Sequence, residues 1–466
     1  MPDAIADREP TAIRSVDELA ERLEGRLVRP IDAEYDEARA MFNAMIDRRP
    51  ALIVRCESAR DVVATLAFAR EQNVPITVRG GGHSPAGRSI ADGAVMIDLS
   101  PMKAVEIDAE RRTALVGPGA VGSDLDDAAL AHGLATTGGT YSGTGVIGLT
   151  LGGGMGFLAR RFGMAVDNMI GADVVLADGS RVHASADDHQ DLFWALRGGG
   201  GAFGVVTSLE LQVHPIGSEI AFLQAFYPWT EARSVLRGFR DFSLAARDEV
   251  GAYALAVQVP PLPAFPEEQH GRSAVAIMAS HAGTPDEGER GLRPLAELGN
   301  PILSAIVPTP YATIQRSFDD AVPAHQRYYW KTAYLSELPD EGIDAFIAAC
   351  EPVPGPLSSA YFETVGGAVN RVAPAATAFP HRDAPFNLGI GAGWTDPAED
   401  EAGIRWARDI VDAMTPYATG GMYVNYLGPD DIDRHRAAFG ANLDRLMQIK
   451  ARYDPDGLFQ GIPTRP

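Results

Sequence analysis

Residues 79–89, RGGGHSPAGRS, place an imidazole directly after three glycines. Crowded glycine N–H groups form nests that bind phosphate oxygens. A neutral imidazole nitrogen at the edge of such a nest is a competent nucleophile near pH 7. Two further glycine-dense stretches follow, GGTYSGTGVIGLTLGGGMGFLARRFG (138–163) and GGGGAFG (198–204). An ordered glycine costs about 0.5–1 kcal/mol against alanine in regular structure. One such loop reads equally as a tight turn. Three of them, each adjoining a strand or helix, point to a long phosphate-bearing cofactor spread across several loops. A nicotinamide fingerprint competes, because Gly154, Gly156 and Ala159 fit G-x-G-x-x-A, with Asp173 and Asp178 downstream. Against it, GVIGLTL holds too many glycines for a buried parallel strand, and Gly163 interrupts the supposed helix. The ten histidines form no H-x-x-x-H array, so no metal site is expected.

These loops need elements to position them. Residues 15–47 read as two helices. ALIVRC (51–56) and PITVRG (75–80) read as strands around the helix SARDVVATLAFAREQ, with Ser58 and Asp61 as its capping box. The glycine-histidine loop therefore leaves a β-α-β unit at a strand end, where ligands often sit. SDLDDAALAHG (123–133) reads as a helix capped by Ser123 and Asp126, and MIGADVVLADGSRVHAS as a hairpin turning at Asp178-Gly179. From about residue 216 glycine thins out. Strands such as YALAVQV, SAVAIMAS, RYYWKTAYL and FNLGIGAGW then alternate with helical stretches, as in a mixed α+β domain with an antiparallel sheet. The tail from 430 reads as one long helix with Ile432, His435, Phe439, Leu443, Leu446 and Tyr453 along one face.

The 466 residues, 46% apolar, suffice for two or three packed domains. A formal charge of −22 disfavours nucleic acid and anionic membranes as partners. No apolar run approaches a membrane span, and the start carries no basic region followed by an apolar stretch. Two cysteines, Cys56 and Cys350, suit a reducing cytoplasm and read as buried small hydrophobes.

Taken together and in order, RGGGHS (79–84), GLTLGGGMG (148–156), GGGGAFGVVTSLEL (198–211) and YVNY (423–426) resemble the FAD-linked oxidases of the vanillyl-alcohol oxidase / p-cresol methylhydroxylase (PCMH) superfamily, in its berberine bridge enzyme-like branch. The resemblance runs from about residue 45 to 460. It implies an α+β fold: a PCMH-type FAD-binding domain of two α/β subdomains (1–215), an inserted substrate domain built on an antiparallel sheet flanked by helices (216–419), and a C-terminal segment (420–466) returning to the first. It implies FAD bonded covalently through His83. Relatives often add a second bond from a cysteine, but that position here is Tyr141, so a single tether is expected. Cofactor contacts carry over to Arg79, Gly80, Gly81, Gly82, Ser84, Pro118, Gly119, Gly139, Ser142, Gly145, Gly148, Gly152, Gly153, Val206 and Asn425.

The same resemblance makes Tyr426, the last tyrosine of YVNY, the catalytic base, with Tyr141 a secondary proton handler or a wall of the flavin site. Ionising a free tyrosine at pH 7 costs about 4 kcal/mol, so a base needs a neighbouring cation or donors, for which Arg382 is a candidate. Where several plant relatives carry a glutamate, a gapped match gives Asn387, which takes no proton. Strand alternation sends Tyr328 and Trp330 to one face and Tyr329 to the other. The expected substrate pocket is Tyr328, Trp330, Arg382 and Asn387. The expected function is oxidation of a small alcohol, amine, sugar or secondary metabolite, with oxygen as acceptor and peroxide as product, by a monomer or homodimer. A flavin dehydrogenase with another acceptor, a nicotinamide-dependent reductase and a non-catalytic glycine-rich binding protein are the alternatives.

Overall fold

The strand Leu52–Arg55 runs parallel to Val95–Asp98, which also pairs in parallel with Ile76–Arg79. The crossover between the first and last of these is the helix Ala59–Gln72, whose Val62, Leu66 and Ala69 cover Val54, Val95 and Ile97. Arg26–Val28 adds an antiparallel edge. The computed structural model describes residues 13–431 and 434–463. Its second sheet is antiparallel, in the order Val105–Asp108, Thr113–Val116, Val205–Gln212, Met169–Val175, Arg181–Ser185.

A third, seven-stranded antiparallel sheet draws all its strands from residues 220–394. Its order is Leu303–Thr309, Ile220–Pro228, Ser273–His281, Val250–Gln258, Ser359–Thr364, Phe386–Trp394, Arg327–Leu335. One face is covered by the helices Ala232–Ala245, Pro285–Ala296, Asp340–Cys350 and Asp400–Met414, whose Leu236, Phe239, Leu292, Phe346 and Ile410 pack on inward Val, Ile, Leu and Ala. The opposite face carries Tyr253, Leu255 and Tyr361 towards the glycine-rich part of the chain. The helix Leu443–Tyr453 returns to the second sheet, sharing one core with Leu192, Phe203 and Val206. No helix among the described residues is long and apolar enough to cross a membrane.

Several local expectations differ. Residues 15–47 form only two short helices, Val16–Ala20 and Tyr35–Ala38, with a strand between them. Asp61 does not cap its helix; it is buried and accepts the N–H groups of Glu24, Gly25 and Glu57 at 2.7–3.0 Å. Those backbone donors, brought in by the chain before it, outcompete the local cap. The helix expected at 123–133 begins one residue earlier and is boxed by Asp124, which accepts from Val121 N, while Asp126 turns inward. The tail is broken at Gly440, whose φ of +49° separates His435–Phe439 from Leu443–Tyr453. Ile432 lies outside the described residues.

Candidate functional site

A cavity of about 400 Å³ lies where the three glycine loops, the YVNY turn and the seven-stranded sheet converge. The RGGGHS loop packs backbone to backbone against the second glycine stretch. A Cβ on Gly81 would sit 2.4 Å from Gly145 N, and one on Gly80 would sit 2.8 Å from Pro118 O, so these positions hold glycine for close approach. Gly82 adopts a φ of +70°, which turns the chain so that His83 enters the cavity. Other glycines have a different reason. A Cβ on Gly148, Gly200 or Gly201 would meet no protein atom within 4 Å, and all three border the cavity. Their missing side chains leave room for a ligand.

The His83 ring stacks on Phe42 at 4.0 Å and lies 5.0 Å from the Tyr141 ring. Burial pulls its pKa down to about 4, so the imidazole is neutral at pH 7. Neutrality is the state in which a ring nitrogen attacks an electrophile. Neither cysteine reaches the site. Cys56 is buried in the core of the first sheet and Cys350 in the core under the third.

Val424–Tyr426 of YVNY form a 3₁₀ turn. The Tyr423 hydroxyl accepts from Gly154 N at 2.8 Å, and Asn425 Nδ2 donates to Leu149 O at 2.9 Å. A Cβ on Gly152 would collide with Asn425 Oδ1. The end of the chain is thereby locked into the GLTLGGGMG segment. That segment is no nicotinamide fingerprint: the residues before its glycines form the helix Val146–Leu151 instead of a strand, and Gly154 and Gly156 pack on Ala165 and the Gly138 carbonyl.

The structure brings His83, Gly80, Gly81, Gly82, Ser84, Pro118, Gly139, Gly145, Gly148, Gly152, Val206 and Asn425 onto the cavity wall, together with Tyr141, Trp330 and Tyr426. Seven expected residues stand elsewhere. Arg79 is held behind the loop by Asp98, at 3.0 and 2.6 Å. Gly119 packs against the carbonyls of Leu99 and Ser100, and Gly153 against Met164, Phe379 and Tyr423. Ser142 faces Asp319, to which its hydroxyl donates at 2.5 Å. Tyr328 lies one layer out, its ring stacked on the far side of the site through Phe42 and its hydroxyl on Pro323 O. Arg382 is buried in a two-bond ion pair with Asp167, both at 2.7 Å, so it does not serve Tyr426. Asn387 is buried within the sheet, accepting from Thr332 Oγ1 and donating to Glu363. Alternation does hold along this strand: Trp330 faces the cavity, while Tyr329 bonds Asp430 on the other side.

One end of the cavity is aromatic, walled by Tyr253, Phe318, Trp330, Tyr361 and Tyr426. Trp330 stacks on Tyr426 at 5.6 Å. Directly beneath lies Glu363, which composition and motifs do not single out. It faces Tyr253 on one neighbouring strand and Asn387 on the other. The Tyr253 hydroxyl donates to Glu363 Oε1 at 2.6 Å and Asn387 Nδ2 to Oε2 at 3.3 Å. Burial raises the Glu363 pKa to about 7 despite both bonds. Burial also drives Tyr426 well above the usual tyrosine value, with Tyr361 and Glu363 adding to the rise and no cation opposing it. The available signal in the sequence was a lone carboxylate in the strand SAYFET, two positions from Tyr361 and so on the same face. Among the described residues no His, Cys, Asp and Glu cluster could hold a metal.

Residues 50–185 match the FAD binding domain family model, and residues 422–462 match the model for berberine and berberine-like proteins. The chain is 31% identical over 452 residues to (R)-6-hydroxynicotine oxidase of Paenarthrobacter nicotinovorans, covering 94% of this chain and 96% of that one. It is 27% identical over 468 residues to the carbohydrate oxidase of Microdochium nivale, covering 92% and 91%. In fold it matches BBE-like 1 of Physcomitrella patens with a TM-score of 0.87, at 24% identity and 97% and 100% coverage. With its glycine cradle, its inward histidine and its returning C-terminal turn, the chain belongs to the berberine bridge enzyme-like FAD-linked oxidoreductases.

Proposed function

We propose that this protein is an oxidase that holds FAD through one covalent bond at His83 and oxidises an uncharged small molecule at the aromatic end of the cavity. The observation that carries the reading is the neutral His83 imidazole projecting into a glycine-walled cavity. The residues fit the group: Gly148, Gly200 and Gly201 leave space for it, and the loop bearing Gly80–Gly82 offers backbone N–H groups for its phosphates. Tyr141 stands where relatives of this family carry a second tethering thiol, and it walls the site beside His83.

FAD bound there would supply the acceptor for a substrate hydride and the route for the electrons to oxygen, with peroxide as product. The chain's own residues handle the proton. A substrate O–H or N–H entering the aromatic end meets Tyr253, which lines the cavity and whose hydroxyl already donates to Glu363. Tyr253 passes its proton to Glu363 as it takes one from substrate. Glu363, with a pKa near 7, is the group able to accept it. Tyr426 contributes a hydroxyl and a ring that orient substrate, not an anionic base, because nothing beside it stabilises the phenolate. Asp, Glu and Lys are absent from the described cavity wall, so a charged substrate group finds no partner at the aromatic end. Neutral sugars and uncharged cyclic amines or alcohols fit that surface.

The test is a peroxide-release screen over neutral and charged alcohols, sugars and amines, paired with anaerobic bleaching of the flavin. Bleaching and peroxide with neutral compounds support the reading. Bleaching without peroxide transfers the electrons to another acceptor and makes the protein a dehydrogenase.

A further inference from the structure

Arg88, at the end of the RGGGHSPAGRS loop, is the one Arg, Lys, Asp or Glu on the described cavity wall. It is half-buried there, and its setting differs from that of other arginines drawn into the interior. Arg382 is paired with Asp167 and Arg79 with Asp98, while Arg160 donates to two backbone carbonyls. Among the described residues the Arg88 guanidinium has neither an ion pair nor a hydrogen bond; only its backbone N–H is engaged, by Ser84 Oγ at 3.3 Å. Burial pulls its pKa below the usual arginine value, and no carboxylate offsets that cost. A half-buried cation that faces a cavity without a counter-charge is a ready partner for an anion bound there.

Its place defines the anion. Arg88 Nη1 lies 3.4 Å from where a Cβ on Gly461 would stand, and that same Cβ would lie 3.7 Å from Ala202. The guanidinium thus sits between the first glycine loop, the third glycine loop and the C-terminal segment. That segment is fixed there by buried Lys450, which donates to Ala202 O at 2.7 Å and Phe459 O at 2.5 Å. These are different neighbours from Phe42 and Tyr141, which surround His83. We propose that Arg88 binds the diphosphate of the flavin dinucleotide, adding the one formal positive charge of the described cavity wall to a cradle otherwise made of backbone N–H groups. A guanidinium presents parallel N–H donors that match two phosphate oxygens. The assignment rests on the flavin reading above.

The test uses full-length His83→Ala protein freed of flavin, so that binding is reversible. FAD and riboflavin, which lacks the diphosphate and adenosine, are titrated by fluorescence quenching into His83→Ala and into His83→Ala with Arg88→Met. Arg88→Met weakens FAD on the order of tenfold to hundredfold, the effect of losing a charge-assisted contact, and leaves riboflavin within about twofold. Arg88→Lys restores most of the FAD affinity. Arg88→Gln is measured in parallel, with circular dichroism, so that a folding defect of one replacement does not decide the result. Unchanged FAD affinity in both neutral variants, or equal loss of FAD and riboflavin in both, overturns the assignment. Wild-type protein that carries no flavin and binds neither ligand overturns the flavin reading itself.

Discussion

Glu363 accepts a 2.6 Å hydrogen bond from the Tyr253 hydroxyl across adjacent strands, and the tyrosine, unlike the carboxyl, borders the cavity. The pair couples a buried proton acceptor to a surface where substrate can stand. Glu363→Gln keeps the shape and removes the acceptor. Turnover then falls about 10²–10⁴-fold, the usual contribution of a general base. The inflection near pH 7 in the rate of flavin reduction disappears with it. A variant that keeps that inflection removes Glu363 from the proton path.

Stability carries the same signature. Glu363 and Asp126 both have folded-state pKa values raised to about 7 by burial. Between their ordinary values and 7 the folded chain holds protons that the unfolded chain releases. Stability is therefore greatest at the acid side of that window and is lost as pH rises through it. Each group accounts for a loss of roughly 3–4 kcal/mol once fully ionised. Denaturation midpoints of flavin-free protein at pH 5.5 and pH 8 show the decline, and Glu363→Gln removes about half of it. A midpoint that rises with pH contradicts the burial assigned to these carboxyls.

The two kinds of glycine separate by substitution. Gly81→Ala places a methyl against Gly145 backbone, which has no room to yield, and costs about 1–3 kcal/mol or more in folding. Gly148→Ala meets no protein atom and leaves thermal stability of the flavin-free chain near wild type. Its methyl enters the cavity, so flavin incorporation drops. Comparable losses of stability in both variants would remove the distinction.

Arg382 and Asp167 form a buried pair away from the cavity. Arg382→Met leaves Asp167 an unpaired buried charge and destabilises by about 3–5 kcal/mol. The pH dependence of the surviving activity stays as in wild type. A shifted profile would return Arg382 to the proton chemistry.

Much of this was readable in the residues. Glycines at 80–82, 145, 148 and 152, with Asn425 far along the chain, announce a cradle, because close backbone approach at Gly81 and Gly145, the positive φ of Gly82 and the open space at Gly148 each favour the missing side chain. Alternation in RYYWKTAYL puts Trp330 and Tyr329 on opposite faces, since a strand offers only two. What stayed hidden depends on register. Glu363 gains its meaning only when Tyr253 and Asn387 lie opposite it, more than 100 residues and 24 residues away. Asp61 and Asp126 look like helix caps locally, and distant packing turns both inward. Arg382 looks available beside PHR until Asp167, from the glycine-rich half, takes both its donors.

The attachment of flavin at His83 is the claim on which the others stand. Mass spectrometry of a proteolytic digest of purified protein reads it directly. A single histidyl tether gives a peptide spanning His83 that carries the mass of one FAD, absent in His83→Ala. Flavin released intact on denaturation, or found on any other residue, contradicts it.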